Sequence, residues 1–180
     1  MSRLEQISDA AAGPDAAGLF SAIRAKVGMV PNLYRVVANR PAALTALLGL
    51  GEALGKGRFD AKTREAIALA VAGANAYDYC ASAHSAIWRS LKVDDAEIAS
   101  RLRGVSADPR LAAILTFAVR VVEARGLVAD ADLAAARAAG LDDGDIVETI
   151  ANVVANIFTN YVNHVAETDI DFPVVHARAA

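Results

Sequence analysis

The sequence predicts an all-α protein, and three observations support that prediction. The 180 residues are 55% apolar, and the apolar content is mainly alanine and leucine, which both favour helix. Apolar side chains recur at helical spacing, and no useful length of chain alternates apolar and polar residues as a half-buried strand would. Proline, aspartate and glycine punctuate the chain at intervals typical of helix ends. We therefore expect one compact domain, a bundle of about seven or eight helical segments.

The first half of the chain contains four predicted helices. Pro31 and Pro41 each fit the first turn of a helix, where the missing N–H costs nothing. Asp60 is placed to cap a helix that is apolar on nearly all sides from Ala66 onward, which indicates burial by neighbours on every face. The four helices are expected over residues 14–27, 31–38, 41–54 and 61–74.

The second half contains the remaining predicted helices. Asp94 with Glu97 forms a capping-box pattern, and Gly126 and Gly140 are placed to end helices. These helices are expected over residues 78–91, from Asp94 to Gly104, and over residues 109–125, 130–139 and 142–166. Residues 1–13 are predicted to form a flexible arm, and residues 169–180 an extended tail.

Charge and hydropathy exclude several classes of partner. The net charge of −3 and the lack of a basic cluster argue against nucleic acid. The apolar run over residues 66–77 is too short to cross a bilayer, and four asparagines interrupt the run over residues 149–166, so no membrane helix is expected. Residues 1–13 lack the apolar core of a secretory signal, which favours a cytoplasmic location. The apolar surfaces of the helices over residues 61–74 and 142–166 exceed what one small domain covers, which favours a homo-oligomer.

Cys80, His84 and Glu65 are the candidate catalytic residues. Cys80 and His84 are four residues apart on one predicted helix, so a thiol and an imidazole share a face. Cys80 also lies in the first turn, and both effects are expected to lower the pKa of its thiol, although Asp78 opposes them. Two other interpretations stay open. A lone cysteine such as Cys80 is commonly a small buried apolar residue. Glu65 can instead pair with Lys62 or Arg64, the cations near the start of its own helix.

The segment from Glu65 to His84 resembles the alkylhydroperoxidase D signature, in which a Glu precedes a Cys-x-x-Cys-x-x-x-His segment that opens the next helix. Glu65, Cys80 and His84 occupy the Glu, second Cys and His positions. Other stretches resemble the peroxidase-related branch of the same carboxymuconolactone decarboxylase superfamily, namely residues 30–33, 53–72, 91–98, 158–164 and 172–173. The resemblance implies an oligomeric helical fold, with trimers or hexamers of such units.

One position departs from the family pattern, because Tyr77 stands where the first Cys of the motif would be. In the resembled enzymes the second Cys attacks the peroxide and the first Cys resolves the sulfenic acid. The resemblance therefore implies a one-cysteine peroxidase: Cys80 attacks a hydroperoxide, His84 serves as base and then acid, and Glu65 orients His84. An external thiol would then reduce the sulfenic acid. Neither a metal nor another cofactor is predicted.

Two further functions and three further residues complete the sequence interpretation. A lyase or isomerase of the carboxymuconolactone decarboxylase type would use His84 and Glu65 as acid and base on a small carboxylated or lactone substrate. Loss of catalysis would leave a ligand-binding or assembly protein. Tyr77 and Tyr79 are candidates to donate a hydrogen bond to the peroxide. His164 is a candidate for lining the same pocket, with a backbone-bound or subunit-contact histidine as the alternative.

Overall fold

The computed structural model describes residues 2–90 and 92–177, and within them it contains nine α-helices and no strand. The prediction of an all-α fold is confirmed, and each of these helices corresponds to one of the nine ranges expected, although the number of segments was put at about seven or eight. The helices are α1 (Pro14–Val27), α2 (Asn32–Val37), α3 (Pro41–Leu54), α4 (Ala61–Ala74), α5 (Asp78–Ser90), α6 (Asp95–Leu102), α7 (Pro109–Glu123), α8 (Asp130–Ala138) and α9 (Asp143–Ala166).

Aspartate side chains begin four of these helices. Each accepts a hydrogen bond from the backbone N–H three residues later, which satisfies a donor that the helix itself leaves unpaired. The four caps are Asp60, Asp94, Asp108 and Asp142. At α9 the capping is reciprocal, because Asp145 also accepts from the backbone N–H of Asp142 at 3.1 Å. Pro31 is one difference from the sequence interpretation, because it caps α2 from outside the first turn.

Helix α4 is the centre of the bundle. Every side chain over residues 66–72 is at most 2% exposed, and α4 packs against α5, α6, α7 and α9. The contact with α6 is close, since a Cβ built on Gly73 would lie 1.9 Å from the carbonyl oxygen of Leu102. Glycine is therefore required for the two backbones to approach. The predicted central, buried helix is confirmed.

A second layer, formed by α1, α2 and α3, covers the face that α5 and α9 present. Its buried side chains, including Phe20, Ile23 and Leu44, belong to the same apolar cluster as Tyr79 and Cys80 of α5. The second layer therefore lies opposite the start of α5, where Cys80 is located.

The segments at both ends of the described chain are held by specific contacts. In the arm predicted to be flexible, the backbone N–H of Ile7 donates to the carbonyl oxygen of Arg35, and Asp9 forms ion pairs with Arg24 and Arg35. Residues 169–177 contain no helix, and their Asp171 accepts from the backbone N–H of Asn32 at 2.8 Å. Both segments therefore brace the second layer.

An apolar stripe, the α9 stripe, remains exposed along α9. Its members recur every three or four residues and are Val147, Ile150, Val154, Phe158, Tyr161 and Val165. By contrast, the apolar surface of α4 is covered inside the chain, so the expectation that α4 also offers surface for self-association is wrong. None of the described helices combines the length and apolar character that crossing a bilayer requires.

Candidate active site

A cavity of about 710 Å³ lies between the second layer, α1, α2 and α3, and the helices α4, α5 and α9. Leucine and isoleucine side chains of α1 and α3 form much of one wall, and Phe172 of the C-terminal segment closes part of the boundary. The polar groups lie mainly on the opposite wall. They include Glu65, Cys80, His84, Asn152, Asn156 and Thr159.

Glu65 and His84 meet on this polar wall. The carboxylate Oε2 of Glu65 lies 2.7 Å from Nδ1 of His84, and the two side chains are 21% and 19% exposed. In the tautomer that donates Nδ1–H to the carboxylate, Nε2 is left with a free lone pair. Arg64, an alternative partner of Glu65 by sequence, instead donates to the carbonyl oxygen of Phe59. The pair can therefore take up or release a proton in the cavity.

Cys80 lines the same cavity from the first turn of α5, although its residue exposure is only 2%. Burial raises the pKa of the Cys80 thiol to about 11, opposed by the nearby polar side chains of Asn163, Thr159 and Asn160. The expectation of a lowered pKa is wrong, because desolvation of the charged form is the largest effect at this sulfur. At neutral pH the group is a thiol, and a base must remove its proton for it to act as a nucleophile.

Two asparagines of α9 lie at the sulfur, and sequence reasoning missed both. Nδ2 of Asn163 lies 3.6 Å from Sγ of Cys80. Asn160, one turn earlier, is fully buried and accepts a hydrogen bond from Nδ2 of Asn75 at 3.0 Å. The one available signal was the row of four amides, Asn152, Asn156, Asn160 and Asn163, spaced three or four residues apart along α9.

Tyr79 lies in the cavity wall with its hydroxyl already engaged. The hydroxyl donates to Oδ1 of Asp171 at 2.9 Å and accepts from the backbone N–H of Leu33 at 3.0 Å. Burial raises the pKa of Tyr79 well above its usual range, so the phenol stays protonated. Its single proton is used by Asp171, so in this conformation Tyr79 has none to donate to a peroxide. Tyr79 instead links α5 to α2 and to the C-terminal segment.

Tyr77 and His164 are brought together, but neither is among the described residues that line the cavity. Their rings are 4.0 Å apart at a 44° angle, and His164 lies on the exposed side of α9. The Tyr77 hydroxyl donates to the backbone carbonyl oxygen of Asn163 at 2.7 Å. The geometry fits a structural contact between α5 and α9 better than direct contact with a substrate.

Three cavity residues were not singled out as functional from the sequence. Asn152 and Asn156 donate their side-chain N–H groups to backbone carbonyls one turn earlier in α9, those of Glu148 and Asn152. Tyr34 of α2 has a raised pKa, caused first by burial and then by the negative charge of Glu65. Tyr34 therefore places a protonated phenol on the side of the cavity that faces Glu65.

A sequence model of the carboxymuconolactone decarboxylase family matches residues 41–124, the part of the chain that holds Glu65, Cys80 and His84. A peroxidase-related protein from Silicibacter sp. TM1040 is 26% identical, with a TM-score of 0.80 over 93% of this chain and 91% of its own. A peroxidase-related protein with an alkylhydroperoxidase AhpD core, from Ralstonia eutropha JMP134, is 28% identical, with a TM-score of 0.80 over 94% and 92%.

A third similar structure shows the fold alone, at 20% identity. It is a cysteine-to-alanine variant of the debrominase Bmp8 in complex with 2,3,4-tribromopyrrole, with a TM-score of 0.73 over 94% of this chain and 90% of that one. No curated protein sequence gives a significant match to this chain.

Proposed function

The chain belongs to the carboxymuconolactone decarboxylase and alkylhydroperoxidase D superfamily, and from that premise we propose that it reduces organic hydroperoxides through the single cysteine Cys80. The observation that carries the proposal is the presence, in one cavity, of the Cys80 thiol and an imidazole–carboxylate pair with a 2.7 Å separation. A nucleophile, a base and a group that orients the base are the parts that this type of covalent catalysis needs.

The reaction begins with removal of the thiol proton. The raised pKa of Cys80 means that the imidazole of His84 has to accept this proton as the peroxide arrives. The sulfur then attacks the terminal peroxide oxygen, so that an S–O bond forms and the O–O bond breaks. His84 returns its proton to the leaving alkoxide, and the products are an alcohol and Cys80 sulfenic acid. Glu65 accepts a hydrogen bond from Nδ1–H of the imidazole, so Nε2 is the atom that takes up the thiol proton and then returns it.

An external thiol completes the cycle. Cys80 is the one cysteine of the chain, and Tyr77 occupies the position that a resolving cysteine would have. The chain therefore supplies no second thiol. One thiol molecule displaces water from the sulfenic acid to form a mixed disulfide, and a second releases the Cys80 thiol together with a small disulfide. The chain thus transfers two electrons from two thiols to one hydroperoxide.

Reductive dehalogenation of a small haloaromatic compound is a second candidate. The cavity volume of about 710 Å³, bounded in part by leucine and isoleucine, suits an aromatic ring better than hydrogen peroxide. In such a reaction the Cys80 thiolate would take the halogen from a ring carbon that gains a proton, giving a sulfenyl halide and the reduced ring. External thiol would then release halide and regenerate Cys80 as above.

One assay series tests both candidates. The full chain is incubated with dithiothreitol and either cumene hydroperoxide or 2,3,4-tribromopyrrole, while peroxide consumption and bromide release are measured. The Cys80→Ser protein is the control, and sulfenic acid on Cys80 is trapped with a 1,3-diketone and located by mass spectrometry. Peroxide consumption that requires Cys80 supports the proposal, whereas bromide release without peroxide consumption favours the second candidate. No difference between the two proteins in either assay rejects both.

A further inference from the structure

The sulfur of Cys80 lies beside two buried amide groups whose hydrogen-bonding capacity is only partly used. Asn160 and Asn163 are fully buried and one turn apart on α9, and Nδ2 of Asn163 lies 3.6 Å from the sulfur. The nearby side chains of Asn163 and Asn160 lower the pKa of Cys80, against the larger opposing effect of burial. Both side chains therefore reach the sulfur from the face of α9.

Each amide retains one buried atom without a partner among the described residues. These atoms are Nδ2 of Asn160, a donor, and Oδ1 of Asn163, an acceptor. An unsatisfied buried polar atom costs about 1–3 kcal/mol, and folded proteins contain few of them. A donor and an acceptor left open on adjacent turns, beside the one cysteine of the chain, indicate a state of the site that uses both.

A sulfenic acid has the matching groups, since its oxygen accepts one hydrogen bond and its O–H donates another. We propose that the two amides form a binding site for the oxygen of Cys80 sulfenic acid. Nδ2 of Asn160 donates to that oxygen, and the S–O–H group donates to Oδ1 of Asn163. The inference rests on the proposed function, in which Cys80–SH and a hydroperoxide give Cys80–SOH and an alcohol.

The presence of Tyr77 in the resolving-cysteine position explains why a binding site for the sulfenic acid oxygen would be useful. Where a second thiol lies three residues away, the sulfenic acid is consumed at once by disulfide formation. Here the sulfenic acid must persist until an external thiol enters the cavity, and a second peroxide can meanwhile oxidise it to the irreversible sulfinic acid. Two hydrogen bonds that fix its oxygen against α9 direct the oxygen away from the cavity and slow that second oxidation.

The experiment measures how long the sulfenic acid survives. The reduced full chain receives one equivalent of cumene hydroperoxide, excess reagent is removed, and 1,3-diketone trapping at timed intervals gives the lifetime of Cys80–SOH. A second equivalent then gives the yield of sulfinic acid by intact mass. In Asn160→Leu and Asn163→Leu we expect a lifetime about tenfold shorter, the effect of one lost hydrogen bond, with a higher sulfinic yield. Asn156→Leu is the matched control, since its amide lines the cavity but donates within α9.

A measurement on the unmodified chain covers the case in which the leucine variants do not fold, which thermal unfolding monitors. Nδ2 of Asn160 has no partner among the described residues, so its side-chain amide signals in 15N–1H NMR spectra should move downfield when Cys80 is oxidised to the sulfenic acid, while those of Asn156 stay in place. Such a shift supports the inference even without folded variants. Unchanged lifetimes in the folded leucine variants, or an unshifted Asn160 signal with normal formation of the sulfenic acid, overturn this inference alone. Absence of sulfenic acid in the unmodified chain overturns the proposed peroxidase function as well.

Discussion

The hydroxyl group of Tyr77 donates a 2.7 Å hydrogen bond to the backbone carbonyl oxygen of Asn163, the residue whose side chain contacts the Cys80 sulfur. The residue in the resolving-cysteine position therefore fixes the α9 backbone next to the sulfur. Burial raises the pKa of Tyr77 to about 12, so its phenol remains a hydrogen-bond donor at neutral pH.

Restoring a cysteine at this position should change the fate of the oxidised sulfur. Residues 77 and 80 are three apart at a helix start, which places their Cα atoms within reach of a disulfide. We expect Tyr77→Cys treated with one equivalent of peroxide to lose two hydrogen atoms in mass, where the unmodified chain gains one oxygen. Tyr77→Ser, which also loses the phenol, should still gain oxygen. Two intact thiols in oxidised Tyr77→Cys would contradict the prediction.

Removing the charge of Glu65 should reduce turnover without preventing folding. In Glu65→Gln the amide can donate to Nδ1 of His84, which favours the tautomer that blocks Nε2 as a proton acceptor. We expect peroxidase activity to fall by about 10²–10⁴-fold, the range for loss of acid–base catalysis. Glu52→Gln is a matched control, since Glu52 also lines the cavity but pairs with Lys56 at 2.9 Å. Equal activities of the two variants would remove Glu65 from the mechanism.

The reactivity of Cys80 should follow the raised pKa of its thiol. A thiol with a pKa of about 11 is mostly protonated at lower pH, so its thiolate fraction increases as pH rises. We expect the rate of alkylation by iodoacetamide to increase about tenfold per pH unit between pH 7 and 10. Intact mass spectrometry measures the rate, and Cys80→Ser gives the background. A rate that levels off below pH 8 would mean that the thiol ionises far more easily than its burial implies.

Gly73 offers a test of the packing that supports the site. Gly73→Ala brings a methyl group against the carbonyl oxygen of Leu102, so α4 and α6 must separate. We expect the free energy of unfolding to fall by about 3 kcal/mol. Gly18→Ala serves for comparison, because no atom lies within 4 Å of its added methyl group and alanine favours helix by about 1 kcal/mol. Denaturant unfolding followed by circular dichroism measures both, and a stabilised Gly73→Ala protein would contradict the packing described.

The α9 stripe predicts self-association. Its residues repeat at three- and four-residue intervals, the pattern by which one helix packs against another. We expect the chain to form a homo-oligomer, a trimer or hexamer by the family resemblance, and Val154→Glu to shift it toward monomer in light-scattering measurements. Leu127→Glu, at an exposed leucine outside the stripe, should leave the mass unchanged. A monomeric unmodified chain at micromolar concentration would refute the expectation.

Local sequence patterns predicted most of the helical architecture and part of the site. Caps such as Asp60 and Asp142 act within four residues, so helix starts are readable from neighbouring positions. The pairing of Glu65 with His84 was also accessible, because one helix and one short turn separate the two residues and the family signature links them.

Features that depend on distant residues were not predictable in the same way. The contact between Asn163 and Cys80 joins positions 83 apart in the chain. From the sequence, Asn160 and Asn163 were two of the asparagines that exclude a membrane helix and belonged to a stretch that resembles the family, with no role assigned at the sulfur. The pKa of Cys80 was misjudged for the same reason, since helix position is visible locally whereas burial by α9 and the second layer is not.

The support that Asp171 gives to both Asn32 and Tyr79 has a consequence for the order in which the protein matures. Translation proceeds from the N-terminus, so the cysteine is synthesised long before the segment that completes its surroundings. Until residues 169–177 emerge from the ribosome, α2 and α5 lack their shared anchor and Phe172 is missing from the cavity boundary. A nascent chain that lacks residues 169–177 therefore holds Cys80 in an unfinished enclosure, which closes only after that segment has been made.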